Sequence, residues 1–322
     1  MSLLKPLARA ELHSLGGIGA FRALTRDAVR ILMYHNFPED PAMLRSQCKH
    51  LRQHYRPVAM KQVAAALHGG ESLPPGAVAI TVDDGYRDFL LRAYPVFREF
   101  EIPATVFLVS DFIDGKGMLW WDRLAYAFRT TKQDAISFES NGLRTIKLDR
   151  SRSHDQCRAV VAELKKLPNT ERTAIVDRVI AALDVSEPPS PPEEFAPLSW
   201  NEVRELAQGN VEFGAHTRTH PILSTLAGPE ETLREISYSR DRLATELGAP
   251  VLHFCYPNGR DDDIGEDAVR VTRECGFQTA VTTTPGTNRM GNVDPWRLKR
   301  LGVPFDLPLY YFAELLAGVR TA

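Results

Sequence analysis

Short apolar runs rich in β-branched residues recur along this chain, and stretches of helical periodicity separate them. That alternation constrains the fold more than any other feature. The runs lie at 31–35, 57–60, 77–82 and 104–109, then, after a gap, at 211–215, 251–256, 279–283 and 298–303. Helical candidates fall between them, notably 86–100 and 229–247. In the latter, Leu233, Ile236 and Leu243 form an apolar stripe opposite a charged face. Strand–helix alternation implies parallel strands with helices outside, as a closed barrel or as a doubly wound sheet.

Residues 114–197 break this rhythm. Residues 120–129 are helical in pattern, and 135–139 and 143–148 flank Asn141-Gly142, a strong hairpin signal. Two helical stretches follow at 153–167 and 170–183, and the segment ends in the stiff run Pro188-Pro189-Ser190-Pro191-Pro192. The reading is a cap inserted between two neighbouring strand–helix units, with no internal repeat.

A chain of 322 residues can bury enough surface to fold without a metal or disulfide staple, so a metal site here reads as functional. The 39 Lys and Arg against 41 Asp and Glu exclude nucleic-acid binding by bulk charge. Four scattered cysteines without a CxxC pair exclude a zinc ribbon and a disulfide-dense scaffold. No apolar run approaches the ~20 residues of a membrane span, and the opening residues lack the pattern of an export signal. The expected location is cytoplasmic. Leu4, Leu7, Leu12, Leu15 and Ile18, set among Lys5, Arg9, Arg22 and Arg26, could place the N-terminus at a membrane surface as a peripheral contact. Gly16, Gly17 and Gly19 interrupt that pattern and favour a helix packed on the protein.

Three motifs carry chemistry. Asp83-Asp84-Gly85 directly follows an apolar strand, and strand C-termini face the active site in parallel α/β folds. Adjacent carboxylates cannot share a role: a cation bound by one leaves the other free as a base. His216-Thr217-Arg218-Thr219-His220 also follows a strand, and on a helical turn its two imidazoles would share a face and reach one ion. His50 and His54 have the same spacing but sit in a charged helical stretch, and read as helix surface. Two His and one carboxylate with open positions suit catalytic zinc or non-haem iron. Third, Tyr256-Pro257-Asn258-Gly259 forms a tight turn at a strand end whose backbone N–H could face a developing oxyanion.

With Thr81-Val82-Asp83-Asp84-Gly85, His216-Thr217-Arg218-Thr219-His220 and Tyr256-Pro257-Asn258-Gly259 in this order, the chain resembles the polysaccharide deacetylases, the NodB-homology or carbohydrate esterase four family. The resemblance spans 31 to about 303, with 114–197 outside it. It implies a distorted (β/α) barrel of about seven parallel strands built from 30–113 and 198–322. An N-terminal helical segment (1–29) precedes the barrel, and a cap (114–197) is inserted into it. It implies a divalent metal, usually zinc, and hydrolysis of N-acetyl groups on an amino sugar or glycan. By position, Asp83 is the base, Asp84, His216 and His220 are the metal ligands, and the Asn258 N–H is the oxyanion donor.

Two departures matter. Many members carry an Arg bracing the catalytic Asp where this chain has Cys255, and Arg300 is the candidate replacement. Many also end in a Leu-x-His motif supplying the acid, and no His follows His253 here. In a closed barrel the first and last strands are neighbours. His35, at the end of the first, is therefore the candidate acid, as in permuted members similar to exopolysaccharide deacetylases. Tyr256, Trp121 and Trp296 are candidates for the sugar-binding wall. The expected activity is a metal-dependent N-deacetylase acting on an N-acetylated sugar. The rivals are a carbohydrate-binding protein that lost turnover and an iron oxygenase using the same ligands.

Overall fold

The structure is a computed structural model and describes residues 17–140 and 142–319. Asn141 and most of the N-terminal leucine stripe lie outside the described residues. The strands are β1 (Ala28–Tyr34), β2 (Arg56–Pro57), β3 (Ala77–Val82), β4 (Ala104–Leu108), β5 (Ala135–Glu139), β6 (Leu143–Lys147), β7 (Val211–Ala215), β8 (His253–Cys255), β9 (Thr279–Pro285), β10 (Asn288–Arg289) and β11 (Leu298–Gly302).

Seven of them close into an all-parallel barrel in the order β1-β3-β4-β7-β8-β9-β11. Closure is made by β1, which pairs with β3 through Ile31↔Ala79 and Tyr34↔Val82 and with β11 through Leu32↔Leu301. Every residue of β3 and β4 is buried, as expected for parallel strands covered on both faces. Alternation along each strand sends every second side chain inward. Ile31, Ala77, Ala79, Phe107, Cys255, Val281 and Leu298 form one inner cluster, while Val78, Ile80, Val82 and Val106 pack outward under the helices. Gly214 is required by this filling, because a Cβ there would lie 2.5 Å from the Phe107 ring. The inward series on β3 continues through Thr81 to Asp83, and that on β11 ends at Arg300. Sequence alternation therefore delivers both to the same end of the barrel interior.

The candidate strand at 57–60 is corrected. Only Arg56–Pro57 pairs with β3, and Met60 opens the helix Met60–Leu67. Met60, Val63 and Ala64 bury one helical face, and Gln62 Oε1 accepts the Ala59 N–H at 2.9 Å, which starts the helix. The 229–247 stretch is the helix Pro229–Leu247, opened by a proline and ended by left-handed Gly248.

Between β4 and β7, the helix Trp120–Thr130, the hairpin β5–β6 and the helices Ser153–Leu164 and Asn169–Ala182 pack around a cluster of their own, including Leu124, Phe128, Ile136, Val160, Ile175 and Val179. Its return strand is stitched to the loop after β3: Arg87 N–H donates to the Ala196 carbonyl at 2.8 Å and Leu198 N–H to Gly85 at 2.9 Å. No helix among the described residues is long and apolar enough to cross a membrane.

Candidate active site

At the C-terminal ends of the barrel strands lies a cleft of about 1270 Å³. Asp83, Asp84, His216, His220, Asn258 and His35 all line it. The sequence-predicted residues from four strand ends thus meet in one place.

Asp83 and Asp84 diverge because the chain turns sharply between them. Asp84 adopts φ 74° and Gly85 φ 91°. A side chain on Gly85 would also meet Leu108 and Ile113 below 3.0 Å. Asp83 continues inward and accepts two hydrogen bonds from the buried Arg300 guanidinium, Nη1 to Oδ1 and Nη2 to Oδ2, each 2.7 Å. Arg300 is itself held by the Thr282 carbonyl (Nε, 2.7 Å) and by Thr81 Oγ1 (Nη1, 3.1 Å). Burial would raise the Asp83 carboxyl, but the charge and hydrogen bonds of Arg300 outweigh it and hold Asp83 below the usual carboxylate range. Cys255 Sγ, in the family's Arg position, lies 3.2 Å from Arg300 Nη2 and 3.5 Å from Asp83 Oδ2.

Asp84 points to the two histidines. Its Oδ1 is 3.5 Å from His216 Nε2 and 3.4 Å from His220 Nε2, and one potential ligand atom from each of the three lies within 4.8 Å of the others. The helical turn expected over 216–220 is not formed. The segment is a loop in which Thr217 (φ 66°) and His220 (φ 58°) take left-handed conformations, strain of about 1–3 kcal/mol each that the surroundings must hold. Thr217 Oγ1 accepts the His220 N–H at 3.1 Å. Glu235, from Pro229–Leu247, accepts the N–H groups of Arg218 and Thr219 at 3.0 and 2.9 Å. Sequence reading missed Glu235, which carries no signal apart from its polarity in an amphipathic helix.

These residues suit a divalent cation. His216 Nδ1 contacts the Cys255 carbonyl at 2.6 Å, the second contact that turns a ligand's other nitrogen toward a metal. Burial and its neighbour His216 lower His220 to about 3, while, against burial, Cys255 and Asp84 raise His216; a cation beside Asp84 would take the place of the His216 proton. Asp83, His216 and Cys255 make another convergent trio, but a cation there would face the Arg300 guanidinium. Asp84–His216–His220 is therefore the better site. His50 and His54 face each other at 4.6 Å, and no third ligand joins them among the described residues.

His35 lies on the rim, its side chain 46% exposed, with Nε2 3.7 Å from Asp83 Oδ2. Asn258 has φ 55°, and its N–H meets no acceptor among the described residues. Gly259 beneath it could not carry a Cβ, which would sit 2.9 Å from Thr283 N. Trp121 lines the cleft with its ring 4.5 Å from that of His220. Its indole donates to Tyr86 Oη at 3.2 Å, and Tyr86 in turn hydrogen-bonds Asp122 at 2.6 Å. Burial raises Asp122 to about 8, so it is largely protonated at neutral pH. Tyr256 lines the cleft but donates its hydroxyl to the Trp296 carbonyl at 3.0 Å. Trp296 is not part of the cleft wall: its indole donates to Phe277 and its ring stacks with Arg273 at 4.3 Å.

The sequence profile of the polysaccharide deacetylases matches residues 70–280. The poly-β-1,6-N-acetyl-D-glucosamine N-deacetylase of Escherichia coli K12 is 40% identical over 72 residues, which is 22% of this chain and 11% of that protein. The Streptococcus pyogenes deacetylase PplD, solved in complex with acetate, superposes over 90% of this chain and 98% of its own at 17% identity and TM-score 0.60. IcaB of Ammonifex degensii superposes over 90% and 97% at 19% identity and TM-score 0.59. At such identities the two structures speak for the fold alone.

Proposed function

The chain belongs to the polysaccharide deacetylase family, and from that premise we propose that it is a metal-dependent hydrolase removing N-acetyl groups from an amino sugar or glycan, with release of acetate. The observation that carries this reading is the convergence of Asp84, His216 and His220 beside a second carboxylate, Asp83, clamped by Arg300. The relatives point the same way. One acts on an N-acetylglucosamine polymer and another was captured with acetate.

A divalent ion held by Asp84, His216 and His220, zinc by the donor set, would supply a water of lowered pKa and polarise the acetamide carbonyl. Asp83, kept ionised by Arg300, takes the proton of the attacking water. The unengaged Asn258 N–H donates to the oxyanion, and its position is fixed by Gly259 and the Thr283 N–H, which donates to the Gly259 carbonyl at 2.8 Å. His35 delivers a proton to the departing nitrogen. Residues 114–197 act as a cap, since Trp121 and the helix Ser153–Leu164 contribute to the cleft wall. The family relation makes the substrate an N-acetylated glycan or glycan intermediate.

The test is acetate release from a panel of N-acetylated mono- and oligosaccharides, using zinc-loaded and chelator-stripped protein. Release that requires the metal is the expected result. A fully metallated protein that binds sugars and releases no acetate would overturn the reading in favour of a binding protein. Oxygen uptake with iron would indicate the oxygenase.

A further inference from the structure

We propose that the cap selects substrates bearing an anionic group next to the N-acetylated sugar, and that Lys165, assisted by Arg158 and Lys166, is the specificity-determining cation. This deepens the deacetylase reading and rests on it.

The wall of the cleft facing the metal site is one face of the helix Ser153–Leu164 and its C-terminal cap. His154, Arg158, Val161 and Lys165 recur every three or four positions, and all line the cleft. Arg158, Lys165 and Lys166 form no ion pair among the described residues. Elsewhere in the cap, Arg123, Arg129 and Arg144, which do not line the cleft, each hold a carboxylate.

The charge of the cleft is therefore positive. Asp83 is compensated by Arg300, Asp84 faces the ion site, and Asp122 is largely protonated at neutral pH. The charges left over are Arg158, Lys165, Lys166 and Arg260 against Asp262 and Asp263. Lys165 ends the cleft-facing series of the helix Ser153–Leu164, and its charge couples to Asp84 and His220 across the cleft. Its side chain is exposed on the cleft wall; partial desolvation and the nearby Arg260 and Arg172 lower its pKa, against the pull of Asp263 and Asp84. Neither acid is within ion-pair distance of it, so the ammonium lines the cleft without a direct ion-pair partner. A phosphate or carboxylate on the substrate would supply one and gain a charge-assisted hydrogen bond. A neutral glycan would leave it uncompensated. Two sources of that anion fit: a sugar linked through phosphate, or a uronic acid neighbouring the N-acetyl sugar.

Lys165 also caps a helix C-terminus, where a cation stabilises the helix whatever the substrate. The experiment separates these roles with ligands the enzyme cannot turn over. Calorimetry on the zinc-loaded protein compares a hexosamine 1-phosphate, a hexosaminyl-glucuronic acid and, as the reference without an anionic group, a methyl hexosaminide bearing the same free amine. At least one anionic sugar should bind about tenfold or more tightly than the reference at low salt, with the advantage fading as salt rises. The better of the two identifies the source. Lys165→Ala should abolish the preference, and Lys165→Arg should keep most of it. Equal affinities for all three in the unaltered protein, or a preference that survives Lys165→Ala in a folded, zinc-replete variant, overturns the proposal. Acetate release is measured separately, so a failure of the deacetylase reading shows there and leaves the binding comparison decisive.

Discussion

Arg300 on the last barrel strand and Asp83 beyond β3 share two parallel 2.7 Å hydrogen bonds, 217 residues apart in sequence. This pair closes the barrel chemically where β1 closes it topologically. It puts a guanidinium against Asp83 beside Cys255, whose Sγ lies 3.2 Å from Arg300 Nη2.

Removing Arg300 should leave a fully buried carboxylate without a partner, at a cost of about 3–5 kcal/mol. Arg300→Met should show that loss in denaturant titrations near neutral pH. The pH dependence has a definite sign. Asp83 is held below its unfolded value in the native protein, so its contribution is present above roughly pH 4 and lost as pH falls through the folded pKa. The stability gap between native protein and variant should therefore narrow on acidification. A gap that widens below pH 4 would contradict the assignment.

Metal occupancy should depend on three residues. Asp84→Asn, His216→Ala and His220→Ala should each bring bound zinc, read by elemental analysis, well below one equivalent and take acetate release to background. The His50→Ala/His54→Ala double variant should retain both. A variant of His216 or His220 with full zinc content would place the ion elsewhere.

The parts of this site legible in the sequence were those whose chemistry is written in side-chain type at a strand end: Asp83, Asp84, His216 and His220. Arg300 was legible only through the family resemblance, as the candidate brace for Asp83; the two parallel hydrogen bonds between them were not. Backbone conformation was not legible. The spacing of His216 and His220 suggests a helical turn, yet they converge through left-handed Thr217 and His220, braced by Glu235. Likewise the short apolar run ending at Met60 suits strand or helix equally, and the cap formed by Gln62 decides it. Asp122 and Lys165 escaped because their meaning depends on the cleft they line, which sequence spacing alone does not reveal.

The oxyanion role assigned to Asn258 belongs to its backbone, and the side chain is dispensable to it. With φ at 55°, glycine fits this position without strain. Asn258→Gly should keep kcat within a fewfold of the unaltered enzyme, whereas Asn258→Pro, which removes the N–H and cannot adopt this φ, should lose about 10²–10³-fold or more. A large kcat loss in a folded Asn258→Gly variant would move the role to the side-chain amide.

Replacing the cap, residues 114–197, with a short linker to Leu198 should leave a folded barrel, since Leu198 and the Ser199 cap of the helix Trp200–Ala207 stay in place. The cap's own hydrophobic cluster makes its core separable from that of the barrel. Substrate preference across the sugar panel should change, because one wall of the cleft is lost. An unaltered preference would confine the cap to a structural role.

The step proposed for His35 is the most demanding. An amide nitrogen leaves as a poor anion unless a proton reaches it, and no histidine follows His253 to serve from the C-terminal side. The His35 imidazole stands on the rim of the same cleft, 3.7 Å from Asp83, where it is placed to protonate the nitrogen as the C–N bond of the tetrahedral intermediate breaks. A positioned acid typically contributes about 10²–10⁴-fold. His35→Ala should lower kcat on an N-acetyl sugar by that factor while zinc content stays whole. It should cost much less on an activated acetyl ester, whose leaving group needs little protonation. Equal losses on both substrates would mean that His35 serves Asp83 or the fold, and that the proton comes from another group.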